Sequence, residues 1–270
     1  MHAPNVTHPS GRALLLLAAV LLLCAAASTV GLWFDDRRLP AALGGAPVWT
    51  KPLKFHLSMA LQLLTVFWAL HAMAQRGVRV PGQRVLVGLL IVTVVFEASY
   101  ISLQGARGVA SHFNRFTPWE SVAATLMAMG ANVLVGTSGW IGLVALRRWW
   151  AQWPGQRQTL LLGIGLGFAG MFVLAGWTGA ALGQFRGPFV VAPDTTGWSM
   201  PMTGWRMDVG DLRMAHFMGV HTMQALPLVA WWLDRSRSRT GEAGVAIFAV
   251  IWVFATLFLL QWAKANNGVV

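Results

Sequence analysis

The sequence predicts an all-α, polytopic integral membrane protein with seven transmembrane helices. Three observations carry that reading. Apolar runs recur along the chain, each bracketed by charge, and about 20 such residues match the hydrocarbon core of a bilayer. Hydrophobic residues make up 56% of the 270 and charged residues 11%, too few charges for a soluble domain of that size. The tryptophans gather at the ends of the runs, where amphipathic rings favour the interface. Trp33, Trp49, Trp119, Trp198, Trp205 and Trp262 lie toward one side, Trp149, Trp150, Trp153, Trp231 and Trp232 toward the other.

Residues 1–12 are polar, contain two prolines, and read as a disordered tail. Helices are expected near 13–34, 54–75, 85–106, 119–146, 159–183, 213–233 and 243–263. The first shares features with a signal peptide, namely Arg12, a Leu-rich core and Cys24-Ala-Ala-Ala-Ser, and its removal would leave six helices. Its length and its Trp33-Phe34 end favour a retained span. In the fifth, Gly163/Gly167 and Gly179/Gly183 have the small-xxx-small spacing that brings helices close. Residues 184–212, rich in Gly, Pro and Trp, read as an ordered outer loop, and 264–270 as a C-terminal tail.

The formal charge of +11 is split among short interhelical clusters, which indicates a lipid bilayer as partner and no nucleic acid. With the N-terminus inside, Lys and Arg divide ten against ten, so the raw count does not orient the chain. Short loops carry the positive-inside signal best. Those holding Arg76/Arg79/Arg84, Arg147/Arg148/Arg157 and Arg235/Arg237/Arg239 therefore place the N-terminus in the cytoplasm and the C-terminus in the periplasm. The Ala, Gly and Arg bias points to a bacterial cytoplasmic (inner) membrane. A lone cysteine, Cys24, excludes an internal disulfide framework.

In that topology the polar residues collect on the outer side. His56 opens the second segment; Arg107, His112, Asn114 and Arg115 follow the third; Asp208, Asp211, Arg213 and His216 open the sixth. His221 lies about 7.5 Å deeper than His216 at about 1.5 Å per residue. Within the third segment Glu97, Tyr100 and Gln104 share one face, and an intramembrane carboxylate is a functional candidate by default. A structural bond from Glu97 to Gln224, Gln62 or a serine is the alternative.

The first functional expectation is a haem b or metal-binding redox protein. His56 and His216 would be axial ligands, one from each of two facing helices, with His112 and His221 as further metal ligands. His216 and His221 point about 140° apart on a regular helix and would not readily share one ion. The fourteen residues between His56 and His71 give a spacing that resembles dihaem cytochrome b helices, but no second helix carries the pair those proteins need. Copper is the alternative metal, since Met200, Met202, Met207, Met214, Met218 and Met223 crowd the same region, although methionine also fills helix packing. Glu97, Tyr100 and Gln104 would line a polar path. Arg107, Asp211 and Arg213 would fix the loops or contact propionates or substrate, a quinone or a lipid.

The second expectation is a metal-free enzyme acting on a lipid or other amphiphile. Arg107, Arg115, Arg206 and Arg213 would hold an anionic head group, and His112 or His216 would act as base. No nucleophile elbow, phosphate loop or dinucleotide fingerprint accompanies them. A proton-coupled transporter, suggested by Glu97, or a structural or assembly protein is the third; no inverted repeat supports transport.

Overall fold

The computed structural model describes residues 9–40, 45–112, 114–152, 158–191, 198, 200, 203–206, 208–236 and 240–265. Among them are seven helices: α1 Pro9–Phe34, α2 Thr50–Gln75, α3 Gln83–Arg107, α4 Pro118–Trp150, α5 Thr159–Gln184, α6 Arg213–Arg235 and α7 Gly241–Ala265. All seven fall where the apolar runs place them. At the N-terminus, however, α1 begins at Pro9, so residues 9–12 are helical rather than tail, and the rest of that tail lies outside the described residues. Residues 266–270 and much of the 184–212 loop do too.

Six of these helices are long and apolar enough to cross a membrane, and α6 is the exception. Arg213, His216, His221, Gln224 and Asp234 make it the most polar of the seven. Its surroundings explain how it sits there: α5 packs along one side and α7 along another. The α5 contact is close because glycines remove side chains from it. A Cβ on Gly167 would stand 2.6 Å from Pro227 Cδ, and one on Gly219 2.9 Å from the α5 backbone, so larger residues would force these helices apart. Trp252 of α7 donates to Thr222 Oγ1 at 3.1 Å and holds the other side.

Burial orders the bundle from its middle outward. α5 is two-thirds buried and central, whereas α7 is 17% buried and peripheral. α1 is also peripheral, but it is a packed member of the bundle. It buries Leu14, Ala18, Leu21, Ala25 and Ser28, a seam with heptad spacing. That seam runs antiparallel to α2, with Gly11 against Phe67 at one end and Gly31 against Trp49 at the other. α1, α2 and α3 form one group, α5, α6 and α7 another, and α4 packs against both α3 and α5.

α2 and α6 run parallel on the remaining side without extensive backbone packing. Long side chains bridge them instead. Lys54 Nζ donates to Thr203 O at 2.8 Å, just before α6; Gln224 Nε2 donates to Thr65 Oγ1 at 3.3 Å; Arg76 donates to Asp234 at 3.1 Å. This seam positions the candidate site.

Candidate functional site

The start of α2 has two chemically different faces. At about 100° per residue, Lys51, Lys54, Ser58, Gln62, Thr65 and Arg76 fall within a sector of about 80°. Lys54, Thr65 and Arg76 identify it as the side that meets α6. His56 lies about 140° from Lys51 and points the other way, between α1 and α3.

There His56 is 2% exposed, with Nδ1 3.2 Å from Ser28 Oγ and Nε2 3.0 Å from Ser102 Oγ. Both serines also donate to carbonyls of their own helices, Cys24 O at 2.9 Å and Ala98 O at 2.7 Å. A neutral imidazole has one N–H and one lone pair. One serine must therefore turn its proton from its carbonyl to the ring, or the ring must carry two protons. In either case both nitrogens are engaged, and His56 joins three helices. His56 and His216, expected to face each other across a haem, occupy different interfaces.

His216 is held in another manner. Its Nδ1 is 3.0 Å from Thr178 Oγ1 on α5, and that hydroxyl donates to Leu174 O at 2.7 Å. Nδ1 is engaged in either tautomer; with the threonine proton on Leu174 O, Nδ1–H donates and Nε2 keeps its lone pair. Among the described residues no hydrogen bond reaches Nε2. Gly179 leaves room beside the ring, since a Cβ there would stand 3.4 Å from His216 Cε1. His221 turns away, as its five-residue offset requires, and rests 4.1 Å from the Phe217 ring.

His112 reaches the same region from the α3–α4 loop. Its ring centroid is 5.3 Å from Phe55 of α2, and Ser111 Oγ lies 3.1 Å from its Nδ1. Lys51 stands over that Phe55 ring at 5.6 Å. Burial first, then the neighbouring Lys51 and His216, push the His112 pKa well below its ordinary value. Lys51, His112 and His216 are thus electrostatic neighbours at one end of the bundle. Among the described residues, Lys51 makes no hydrogen bond or ion pair.

Glu97, Tyr100 and Gln104 occupy one face, as expected, but only two of them are joined. Gln104 Nε2 donates to Tyr100 Oη at 3.1 Å, and Arg107 donates to Gln104 Oε1 at 2.7 Å. Arg107 continues to Glu120 of α4 at 3.7 Å. Glu120 belongs to a capping box, Thr117-Pro-Trp-Glu120, whose Thr117 Oγ1 accepts from Glu120 N at 3.2 Å. Glu97 faces α4 instead, where Gly130 makes room: a Cβ there would stand 2.6 Å from Glu97 Oε1. That oxygen, Gln62 Nε2 and Gln224 Oε1 are buried without a hydrogen-bond partner among the described residues. Gln224 bonds Thr65, not Glu97.

Asp211 and Arg213 knot the outer loop. Asp211 is fully buried and accepts from Arg206 N at 2.9 Å, Arg213 N at 3.0 Å and the Arg213 guanidinium. Arg213 also donates to Gly204 O at 2.8 Å and stacks 5.1 Å from Phe189, which pairs with Asp211 in an isolated bridge. Beside this, Arg206 is tied to Asp208, and their bond raises the one pKa and lowers the other. Of the two expected roles, these contacts describe loop fixation.

Lys51 and Lys54, and the hydroxyls of Ser28, Ser102 and Thr178 that hold the two histidines, are residues of this region that sequence reasoning did not single out. The first two had a signal, a Lys-Pro-Leu-Lys start to an apolar helix, where charge is costly. Among the methionines weighed for copper, Met214 and Met223 are buried in helix packing, while Met202 and Met207 lie outside the described residues. Among the described residues no three His, Cys, Asp or Glu side chains gather as a metal site. Comparisons with protein-family models, curated proteins and solved structures find no match for this chain.

Proposed function

We propose that this membrane protein takes the anionic head of an amphiphile between Lys51, His112 and His216, and acts on it there without a metal. The carrying observation is Lys51: a half-buried cation in the first turn of α2, with no hydrogen bond or ion pair among the described residues, beside two histidines. Glu97 opposes this charge only through space, with no ion pair between them among the described residues, and an anionic head group would offset the remaining cost. His216, anchored through Nδ1 and free at Nε2, supplies the general base that chemistry on the head group needs.

The seam between α2 and α6 supports access from the bilayer. Lys54–Thr203 and Thr65–Gln224 bound a stretch of about 16 Å, at about 1.5 Å per residue. Ser58 lies on the sector between these two bridges, yet it is exposed, so the helices do not close over it. Leu61, 43% exposed, and Phe217, 45% exposed, flank the opening with apolar surface suited to an acyl chain. The test is extraction and mass spectrometry of amphiphiles copurified with the wild type and Lys51→Gln. Loss of an acidic species from the variant supports the reading; identical extracts refute it.

A second reading is favoured by one observation. An imidazole fixed through Nδ1 with a free Nε2 is also a disposition for metal ligation, so His216, with His112 in place of His56, could hold a haem b. Oxidised and dithionite-reduced spectra separate the two. A Soret band that His216→Ala removes and His56→Ala leaves intact would favour haem.

A further inference from the structure

A cleft of about 620 Å³ lies at the end of the bundle opposite His112 and His216, between the α2–α3 turn and the last turns of α4. Its lining alternates in chemistry for reasons visible in the chain. Gly77 and Gly82 take left-handed φ values of 71° and 69°, which brings α2 round to α3 through seven residues, 76–82. Within that turn Val78 and Val80 are buried at 5% and 6% exposure, so Arg79 between them is turned outward. Trp140 Nε1 donates to Pro81 O at 3.1 Å and fastens the turn to α4.

On α4, Trp140, Leu143, Val144, Arg147 and Arg148 line the cleft at helical spacing. Trp140 and Leu143 are 44% and 55% exposed, so the deeper part is an apolar, lipid-accessible wall. Arg147 and Arg148 cap it where the helix ends. Among the described residues, Arg79, Arg147 and Arg148 make no ion pair. This is the profile of a lipid: acyl chains against the apolar wall, and acid at the interface beneath three guanidinium groups, which suit phosphate oxygens.

We propose that this cleft binds the phosphate of an anionic membrane phospholipid, with Arg79, Arg147 and Arg148 as ligands and Trp140 and Leu143 against its chains. A free phosphate would satisfy the arginines but would leave the apolar wall without an occupant. The site is separate from the histidine site and does not depend on its function.

The test is native mass spectrometry of the full chain released from nanodiscs of phosphatidylcholine with a minor share of phosphatidylglycerol, in the wild type and in Lys51→Gln to remove the cation beside the histidines. Phosphatidylglycerol should be retained in preference to phosphatidylcholine in both. Arg79→Gln should weaken retention about fivefold and Arg147→Gln/Arg148→Gln about twenty-five-fold, at about 1 kcal/mol per arginine. The three positions are exposed, and unchanged thermal melting of each variant checks that the fold is intact. Equal retention of the two lipids, or retention that the arginine variants leave unaltered, overturns the proposal. So does displacement of the bound lipid by inorganic phosphate alone, which would assign the site to a free anion.

Discussion

The Thr178 hydroxyl, 3.0 Å from His216 Nδ1, determines which nitrogen of that histidine is left for chemistry. Because the hydroxyl proton goes to Leu174 O, the ring donates through Nδ1 and keeps Nε2 as an acceptor. Thr178→Val preserves the shape and removes the acceptor. Amphiphile turnover, followed by product formation, should fall about tenfold or more, part of the roughly hundredfold or more that a positioned general base contributes. Thr178→Ser should restore it; a variant indistinguishable from wild type would detach Thr178 from function.

His56 should behave as a structural residue. His56→Leu removes a ring that bridges Ser28 and Ser102, and both hydroxyls still have their own helix carbonyls. The expected cost is about 1–3 kcal/mol, seen as a lower melting temperature. Amphiphile binding should persist. A stable protein that has lost binding would return His56 to the site.

The opening beside Ser58 makes a kinetic prediction. Ser58→Trp places a large ring between the Lys54–Thr203 and Thr65–Gln224 bridges, where the native side chain is exposed. Association and dissociation of a long-chain amphiphile should both slow while affinity is held, because an obstructed path acts in both directions. Stopped-flow exchange with a fluorescent amphiphile reads this, and unchanged rates would rule out the α2/α6 route.

His112 makes stability depend on pH. Its folded pKa is depressed well below 6.5 by burial, then by the neighbouring Lys51 and His216. Below pH 6.5 the unfolded chain gains a proton that the folded chain does not, so stability is present above that pH and declines on acidification. Melting temperatures from pH 8 to pH 5 should fall, and His112→Gln should reduce the slope. An unchanged slope would contradict the burial of this ring.

The helices were legible because length, hydropathy and flanking charge are local properties. The course of α1 at Pro9–Arg12 was not, since its polar start hides a helix that packs Gly11 against Phe67. The nearness of His112 to His216 was legible from the order of the segments. The direction of His56 was not, because helical phase separates it from Lys51 but does not say which sector meets α6. That choice rests on contacts distant in sequence, Lys54 with Thr203 and Thr65 with Gln224. Asp211 and Arg213 read equally well as ligands or as braces until the buried bonds to Arg206 and Gly204 were in place. Glu120 was passed over in the sequence, although Thr-Pro-Trp-Glu before an apolar run is a helix-start signal.

The central claim, that Lys51 awaits an anionic head group, is tested most directly by calorimetric titration of dodecyl phosphate into the wild type and Lys51→Gln, with dodecyl maltoside as neutral control. The account expects dodecyl phosphate to bind the wild type and to bind the variant about thirtyfold more weakly, the loss of about 2 kcal/mol for one charged hydrogen bond. The neutral amphiphile should not distinguish the two proteins. Equal affinity of both proteins for dodecyl phosphate would contradict it.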